Sequence, residues 1–259
     1  MCLILLAHRV HPDYPLIVAA NRDEFYARAT ASAHYWQRPD DLLAGRDLEA
    51  GGTWLGVSRS GRFAAVTNVS EPPPMEVLRS RGELTSGFLL GSASSQDYAD
   101  ALSGSNYRGF NLLLWDGETL VYESNRNHGR ALEPGFYGLA NAGLDEEKFR
   151  VTSGREGLRT TIQDGFADAA TLSAALLALL EDRNHPDAAD PATTPTITPT
   201  GQHTLDPARL ARFIVGEEYG TRASTAVLLG AGAVHFTERV FVNRGEVRGD
   251  ATFRFELTG

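Results

Sequence analysis

Short apolar segments separated by turn residues are the feature of this sequence that most restricts its fold. Residues Phe110 to Trp115 and Thr119 to Glu123 lie on either side of Asp116-Gly117. An Asp-Gly pair between two such segments is the strongest short-range indicator of a β-hairpin. The chain therefore contains at least one antiparallel strand pair that is specified locally.

Further hairpins and a few helices follow from the same kind of pattern. The other predicted strand pairs are Cys2 to Arg9 with Leu16 to Arg22, Thr53 to Ser58 with Arg62 to Asn68, and Ala223 to Leu229 with Val234 to Arg239, and Thr252 to Leu257 alternates as a final strand. About ten antiparallel strands, with the helices in separate parts of the chain, indicate an α+β layered fold. We expect one domain over residues 1–259, with a Pro/Thr-rich surface loop at about 184–204.

Three or four segments show helical rather than strand periodicity. Asp168 is a plausible N-cap for a helix whose leucines and alanine recur at helical spacing, namely Leu172, Ala175, Leu176, Leu179 and Leu180. Leu84 and Phe88 indicate a second helix, and Asp145 is expected to cap a third. Pro207 to Val215 is expected to form one more short helix.

The composition argues against several classes of function. A formal net charge of −9 disfavours binding to nucleic acid or to an anionic membrane. A single cysteine excludes an internal disulfide and any cysteine-rich metal site. The sequence has no G-x-S-x-G elbow, P-loop, H-E-x-x-H or dinucleotide fingerprint, and we expect no cofactor. Without a recognisable targeting segment, the cytoplasm is the expected compartment.

The only cysteine stands at position 2, directly before an apolar run, in MCLILLAHRV. This run lacks the basic residues and cleavage site of a secretory signal, and it is too short to span a bilayer. One interpretation is a buried first strand with an incidental cysteine. The other is that removal of Met1 leaves Cys2 with a thiol and a free α-amine, which together supply a nucleophile and its base. The ten residues alone leave both interpretations open.

Polar residues end several of the predicted strands. In ANRDEFY, strand periodicity places Asn21 and Asp23 on one face and Arg22 on the other. If the first two strands pair, a carboxylate from this segment could hold the Cys2 ammonium. Asn68 and Asn141 also end strand-like segments, and an asparagine amide can donate to a developing oxyanion. A solvated strand end and ordinary turn roles are the alternatives.

These segments together resemble a known family. The motifs MC, ANRDEFYAR, GGTWLG, AAVTN, RGEL, YGLANAGLD, YGTRASTAVLL and FTER occur in the order seen in the NRDE family, also called the transport and Golgi organisation 2 family. The resemblance extends from Met1 to about Arg239, with the Pro/Thr-rich loop as the main divergent stretch. Eukaryotic members are linked to secretory organisation, lipid metabolism or haem handling, and none of these links fixes a mechanism.

A more distant resemblance is to the N-terminal-nucleophile hydrolases of the choloylglycine hydrolase and penicillin acylase group. It implies a four-layer αββα sandwich of two antiparallel sheets. It also implies that Asp23 is the partner of the amine, that the segment ending in Asn141 completes the oxyanion hole, and that Arg222 is a late active-site arginine. Many of these enzymes carry an arginine where this chain has Ala20. Either Arg22 substitutes for it or the site has lost part of its original chemistry.

Two functions remain open from the sequence. The first is a hydrolase or acyltransferase for an amide or thioester of a small or lipid-like molecule. Its catalytic residues would be Cys2, Asp23, Asn141 and Asn68, and its substrate-binding residues would be Asn21, Arg22 and Arg222. The second is a non-catalytic carrier for a hydrophobic ligand such as haem or an acyl thioester. Both require a small-molecule partner, neither requires membrane insertion, and the oligomeric state is left open.

Overall fold

Two antiparallel sheets form the centre of the protein. A computed structural model describes residues 2–36, 41–72, 78–185 and 211–258. In the described residues the first sheet has six strands, in the spatial order β10 (Gly135–Leu139), β1 (Cys2–His8), β2 (Leu16–Phe25), β11 (Tyr219–Leu229), β12 (Ala233–Phe241) and β13 (Val247–Glu256). The second has seven strands, which follow the chain as β3 (Thr30–Tyr35), β4 (Leu42–Asp47), β5 (Leu55–Ser58), β6 (Phe63–Asn68), β7 (Phe110–Trp115), β8 (Leu120–Ser124) and β9 (Arg130–Ala131).

Helices cover the outer faces of both sheets. The described helices are α1 (Gly82–Leu90), α2 (Ser95–Asp100), α3 (Phe149–Gln163) and α4 (Ala169–Leu180). Along β1 the apolar side chains divide by strand periodicity, because Ile4 and Leu6 join the core between the sheets while Leu3 and Leu5 pack with α3 and α4. Helices α1 and α2 pack on the second sheet. The predicted αββα sandwich is confirmed.

The helix predictions had mixed outcomes. The Asp168 side chain caps α4 by accepting a hydrogen bond from the Thr171 N–H at 2.8 Å, as predicted. The predicted cap at Asp145 is wrong, because α3 begins at Phe149 after Lys148. Asp145 instead adopts a positive φ of 55° and its carboxylate accepts from the Gly138 N–H.

Part of the sequence-based description falls outside the described residues. Residues 186–210 include most of the predicted Pro/Thr-rich loop and the start of the helix predicted at Pro207 to Val215. The remainder of that segment, residues 211–215, forms bends and extended chain rather than a helix.

Strand register sets which side chains meet at the start of β1. Cys2 is paired with Arg22, and Leu3 is paired with Asn21. On the other side of β2, Asp23 is paired with Thr221 of β11. A β-bulge between Thr221 and Ala223 displaces Arg222 from the ladder. Opposite residues of an antiparallel pair share a face, so Cys2 and Arg22 both project towards the second sheet.

Candidate functional site

A cavity of about 1950 Å³ opens where the ends of the two sheets meet. Its wall includes Cys2 and Arg22 from the first sheet and Val66 and Asn68 from the second. Trp54, from the segment before β5, adds an aromatic surface. The cavity therefore combines one thiol with apolar and charged side chains.

Cys2 is partly buried at the wall of this cavity. Burial raises the pKa of its thiol, and the Asp23 carboxylate raises that pKa further. Arg22 and a hydrogen bond from the Asp23 backbone act in the opposite direction and lower the pKa of Cys2. The balance favours the neutral thiol, so reactivity at neutral pH requires a base that removes its proton.

The backbone nitrogen of Cys2 contacts Asn141. The Cys2 N–H donates to Asn141 Oδ1 at 3.0 Å, which joins residues from opposite halves of the chain. The Asn141 Nδ2 group donates one hydrogen to the Asn68 carbonyl. A side-chain amide has two such hydrogens, and no acceptor among the described residues takes the second, which is therefore available to a ligand. Both asparagines line the cavity, and Asn68 takes part in this contact through its backbone rather than its side chain.

A buried hydrogen bond fixes the backbone just before Asn141. The Thr67 hydroxyl of β6 donates to the Ala140 carbonyl at 2.7 Å. Thr67 is fully buried, and its strand belongs to the second sheet. The two sheets are thereby tied together at the position where the chain leaves β10 and delivers Asn141 to the cavity.

Asp23 is held from the side of the helices. Its carboxylate accepts from Arg150 Nη2 at 2.8 Å and from the Thr221 hydroxyl at 2.7 Å. The side chains of Asp23 and Arg150 are 0% and 4% exposed. The expected contact of this carboxylate with a free Cys2 amine stays a prediction for the chain without Met1.

Asn21 lies on the same side of β2 as Asp23 and away from the cavity. Its Nδ2 group donates to the carbonyls of Leu180 and Arg212, and its Oδ1 accepts from the Ser224 hydroxyl. Asn21 is fully buried, and these three bonds tie β2 to the end of α4 and to β11. Asn21 is not among the residues that line the cavity, and its role as a substrate-binding residue stays a prediction.

The two predicted arginines differ in their surroundings. Arg22 projects into the cavity, and its guanidinium lies 3.7 Å from Glu24 and 4.0 Å from Asp47. Arg222 also lines the cavity, but its guanidinium donates to the carbonyls of Phe25, Tyr26 and Arg28 and to the Thr30 hydroxyl. Arg222 therefore holds the loop after β2, and Arg22 is the better placed of the two to meet a ligand.

Several residues of this region were not predicted from the sequence. Arg150 is one, because only the packing of α3 brings it to Asp23. Arg81 and Glu238 are two others, and both line the cavity. Glu238 is 4% exposed and accepts from the Ala33 N–H at 2.6 Å across the two sheets, and burial raises its pKa. The only sequence signal for these two was their presence in the RGEL and FTER motifs.

Within residues 2–36, 41–72, 78–185 and 211–258, no group of three or more His, Cys, Asp and Glu side chains is arranged to hold a metal ion. In the same ranges no helix has the length and apolar character needed to cross a bilayer.

Comparison with known sequences identifies the family. Residues 1–243 match the family described as Transport and Golgi organisation 2. The chain belongs to this family. It is 34% identical to the Transport and Golgi organization 2 homolog of Mus musculus over 278 aligned residues, which cover 99% of each chain. It is 36% identical to the Bos taurus homolog, with 97% of each chain covered, and 29% identical to the Drosophila melanogaster protein, with 71% and 73% covered.

Two solved structures share the fold of this chain. The C2A mutant of the conjugated bile acid hydrolase from Clostridium perfringens matches 98% of this chain and 92% of its own, with a TM-score of 0.51 and 10% identity. The Caenorhabditis elegans orthologue of N-acylethanolamine-hydrolyzing acid amidase matches 88% and 93%, also with a TM-score of 0.51 and 10% identity. At this identity the likeness establishes the fold and leaves the activity of this chain to be tested.

Proposed function

We propose that the protein is an N-terminal-cysteine hydrolase or acyltransferase that acts on an amide or thioester of a small or lipid-like molecule. The observation that carries this proposal is the contact of the Cys2 nitrogen with Asn141 Oδ1, at a cavity wall that also includes Asp23. A thiol, a base on the same residue and an amide donor would then stand at one ligand-sized cavity.

Removal of Met1 would turn the Cys2 peptide nitrogen into a free α-amine. The amine would take the thiol proton as the sulfur attacks the acyl carbon, so that a carbon–sulfur bond forms and the carbonyl oxygen becomes an oxyanion. The remaining Nδ2 hydrogen of Asn141 would donate to this oxyanion. The resulting ammonium would return the proton to the leaving nitrogen or sulfur as its bond to the acyl carbon breaks. Water or an acceptor nucleophile would then release the acyl group from Cys2.

Asp23 is proposed to orient the α-amine. It follows Arg22 along β2, and Arg22 is the residue paired with Cys2. Arg150 and Thr221 fix its carboxylate, so the charge that faces the amine would be preorganised. Because a carboxylate stabilises a nearby ammonium, Asp23 would also raise the pKa of the amine.

A carrier function on the same fold is the second candidate. The observation that favours it is the raised pKa of Cys2, which keeps the thiol neutral at a cavity large enough for a lipid-like ligand. In that case Cys2 would be part of the cavity wall, and a ligand such as haem or an acyl thioester would bind without turnover.

The deciding experiment compares wild type with Cys2→Ala and Cys2→Ser. All three second residues are small, so Met1 should be removed from each, and intact mass would verify this. The proteins would be incubated with a panel of amides and thioesters while acyl release and co-purified ligands are both measured. We expect acyl release by wild type only, with Cys2→Ser severely impaired because its hydroxyl is a much weaker acid than a thiol. Full turnover by Cys2→Ala would refute the catalytic proposal, and ligand retention without turnover by wild type would support the carrier.

A further inference from the structure

The arginines of the cavity wall differ in whether they are paired with a carboxylate. Arg28 is paired with Asp47 at 2.7 Å, and Arg79 is paired with Glu83 at 2.7 Å. Arg81 differs from both, because the single hydrogen bond of its side chain within the described part of the chain goes to a neutral acceptor, the Gly109 carbonyl at 3.0 Å. A guanidinium has five N–H donors, so most of those on Arg81 are left for a ligand.

Glu71, the carboxylate that interacts electrostatically with Arg81, is already engaged by other groups. The Glu71 carboxylate accepts from the Gly109 N–H at 2.6 Å and from Arg126 at 2.8 Å, and it lies 3.7 Å from Arg108. Burial and the neighbouring Arg108 lower the pKa of Arg81 to about 10. Arg81 is therefore a partly desolvated cation that stays charged at neutral pH and has no carboxylate of its own among the described residues.

The backbone around Arg81 is held in place. Arg81 directly precedes α1, and the backbone of Gly82 presses against that of Gly52. A Cβ atom on Gly52 would lie 2.5 Å from the carbonyl carbon of Gly82, which is too close, so a side chain at position 52 would push the two segments apart. This contact explains Gly52 of the GGTWLG motif and Gly82 of the RGEL motif, and it fixes where the Arg81 side chain leaves the backbone.

The cavity that Arg81 and Cys2 line also has apolar wall residues. Trp54, Val66 and Leu78 line the same cavity as Arg81 and Cys2. The Cys2 thiolate would raise the pKa of Arg81, so the two groups are close enough to interact electrostatically. A molecule that fills this cavity would meet a cation, apolar side chains and a thiol in its wall.

We propose that Arg81 binds the carboxylate or phosphate group of an amphiphilic ligand whose apolar part lies along Trp54, Val66 and Leu78 beside Cys2. Arginine suits this role because its planar guanidinium matches the two oxygens of either anion. One consequence, that the substrates are anionic acyl compounds, rests on the proposed function. Arg81 thereby becomes the residue that selects among them.

The test uses three probes with an eight-carbon alkyl chain in common, namely octanoate, octyl phosphate and 1-octanol. Binding would be measured by calorimetry, and its location by protection of Cys2, the only cysteine, from iodoacetamide. The proteins are wild type, Arg81→Met, Arg81→Lys and the control Arg79→Met, which removes an equal charge from an exposed side chain already paired with Glu83. Circular dichroism would verify that each variant is folded.

We expect wild type to bind one or both anions more tightly than 1-octanol, and we expect the bound anion to protect Cys2 from iodoacetamide. Arg81→Met should weaken anion binding by about 10- to 100-fold, since bonds to charged groups are the strong ones, and leave 1-octanol unchanged. Arg81→Lys should recover part of the loss, and the two anions would show whether carboxylate or phosphate is preferred. Equal binding of 1-octanol and the anions, or equal losses in Arg79→Met and Arg81→Met, would overturn the inference. Acyl release is measured separately, so a non-catalytic protein that still discriminates through Arg81 would refute only the proposed function.

Discussion

The buried ion pair of Asp23 and Arg150 makes a quantitative prediction. The two side chains are 0% and 4% exposed, and the Oδ2–Nη2 distance is 2.8 Å. Replacing Arg150 by Met keeps much of the side-chain volume but leaves the Asp23 carboxylate buried without its cation. Breaking a buried pair in this way costs about 3–5 kcal/mol. For a chain of this size, that loss corresponds to a fall in Tm of about 6–20 °C.

The same helix supplies a matched control. Arg155 of α3 forms an ion pair with Asp145 at the same distance of 2.8 Å, but these side chains are 31% and 27% exposed. Solvent screening reduces such a pair to about 0–1 kcal/mol, so Arg155→Met should barely change the unfolding midpoint. Urea and thermal unfolding of both variants would measure the difference. Equal effects would refute the argument from burial, and Asp23→Asn combined with Arg150→Met should restore part of the stability that Arg150→Met loses.

Three further predictions concern the cavity. In Met-processed protein, Asn141→Ala should lower kcat by about 10²–10³ with little change in ligand Kd, measured on any substrate found, because one oxyanion donor is lost. Glu238→Gln should raise Tm at neutral pH. Burial raises the pKa of the Glu238 carboxyl above its unfolded value. The stabilising effect of the protonated carboxyl is therefore present at acid pH and is lost as the pH rises through the folded pKa. Thermal scans should show that the higher Tm of Glu238→Gln disappears below about pH 4.5. In protein that keeps Met1, iodoacetamide should modify Cys2 slowly at neutral pH, because burial raises the pKa of the thiol, and faster once Met1 is removed.

Elements specified by local sequence could be predicted without the structure. The hairpin of β7 and β8 follows from Asp116-Gly117, whose positive φ of 104° at Gly117 suits a tight turn. Helix α4 follows from its leucine spacing and the Asp168 cap. In both cases the decisive residues lie within one element or directly beside it.

Elements that depend on tertiary packing were missed. Strand β3 (Thr30–Tyr35) has only one buried residue, Ala33, and a bulge interrupts its pairing with β4. Polar residues alternate along it with two alanines and a tyrosine, which is a weak apolar signal for a strand. The six-residue helix α2 is shorter than the window over which helical periodicity is informative.

The candidate site shows the same limit at longer range. The sequence singled out Cys2, Asp23 and Asn141 as separate residues, and the contact between Cys2 and Asn141 spans 139 positions. Arg150 could not be anticipated, because an arginine in a helix is ordinarily solvated and only the packing of α3 on the first sheet buries this one. Arg81 likewise gains its significance from the acids around it being paired with other groups.

The alternation of β2 accounts for the two roles of the Asn-Arg-Asp segment. Asn21 and Asp23 project towards the helices, where Asn21 binds the end of α4 and Asp23 binds Arg150. Arg22 projects into the cavity on the same face as Cys2. Asp23 is also a cavity-lining residue, but its carboxylate is buried and accepts hydrogen bonds from Arg150 and Thr221. Under the proposed function, this fixed carboxylate would orient the α-amine released by loss of Met1, and that amine would take the thiol proton.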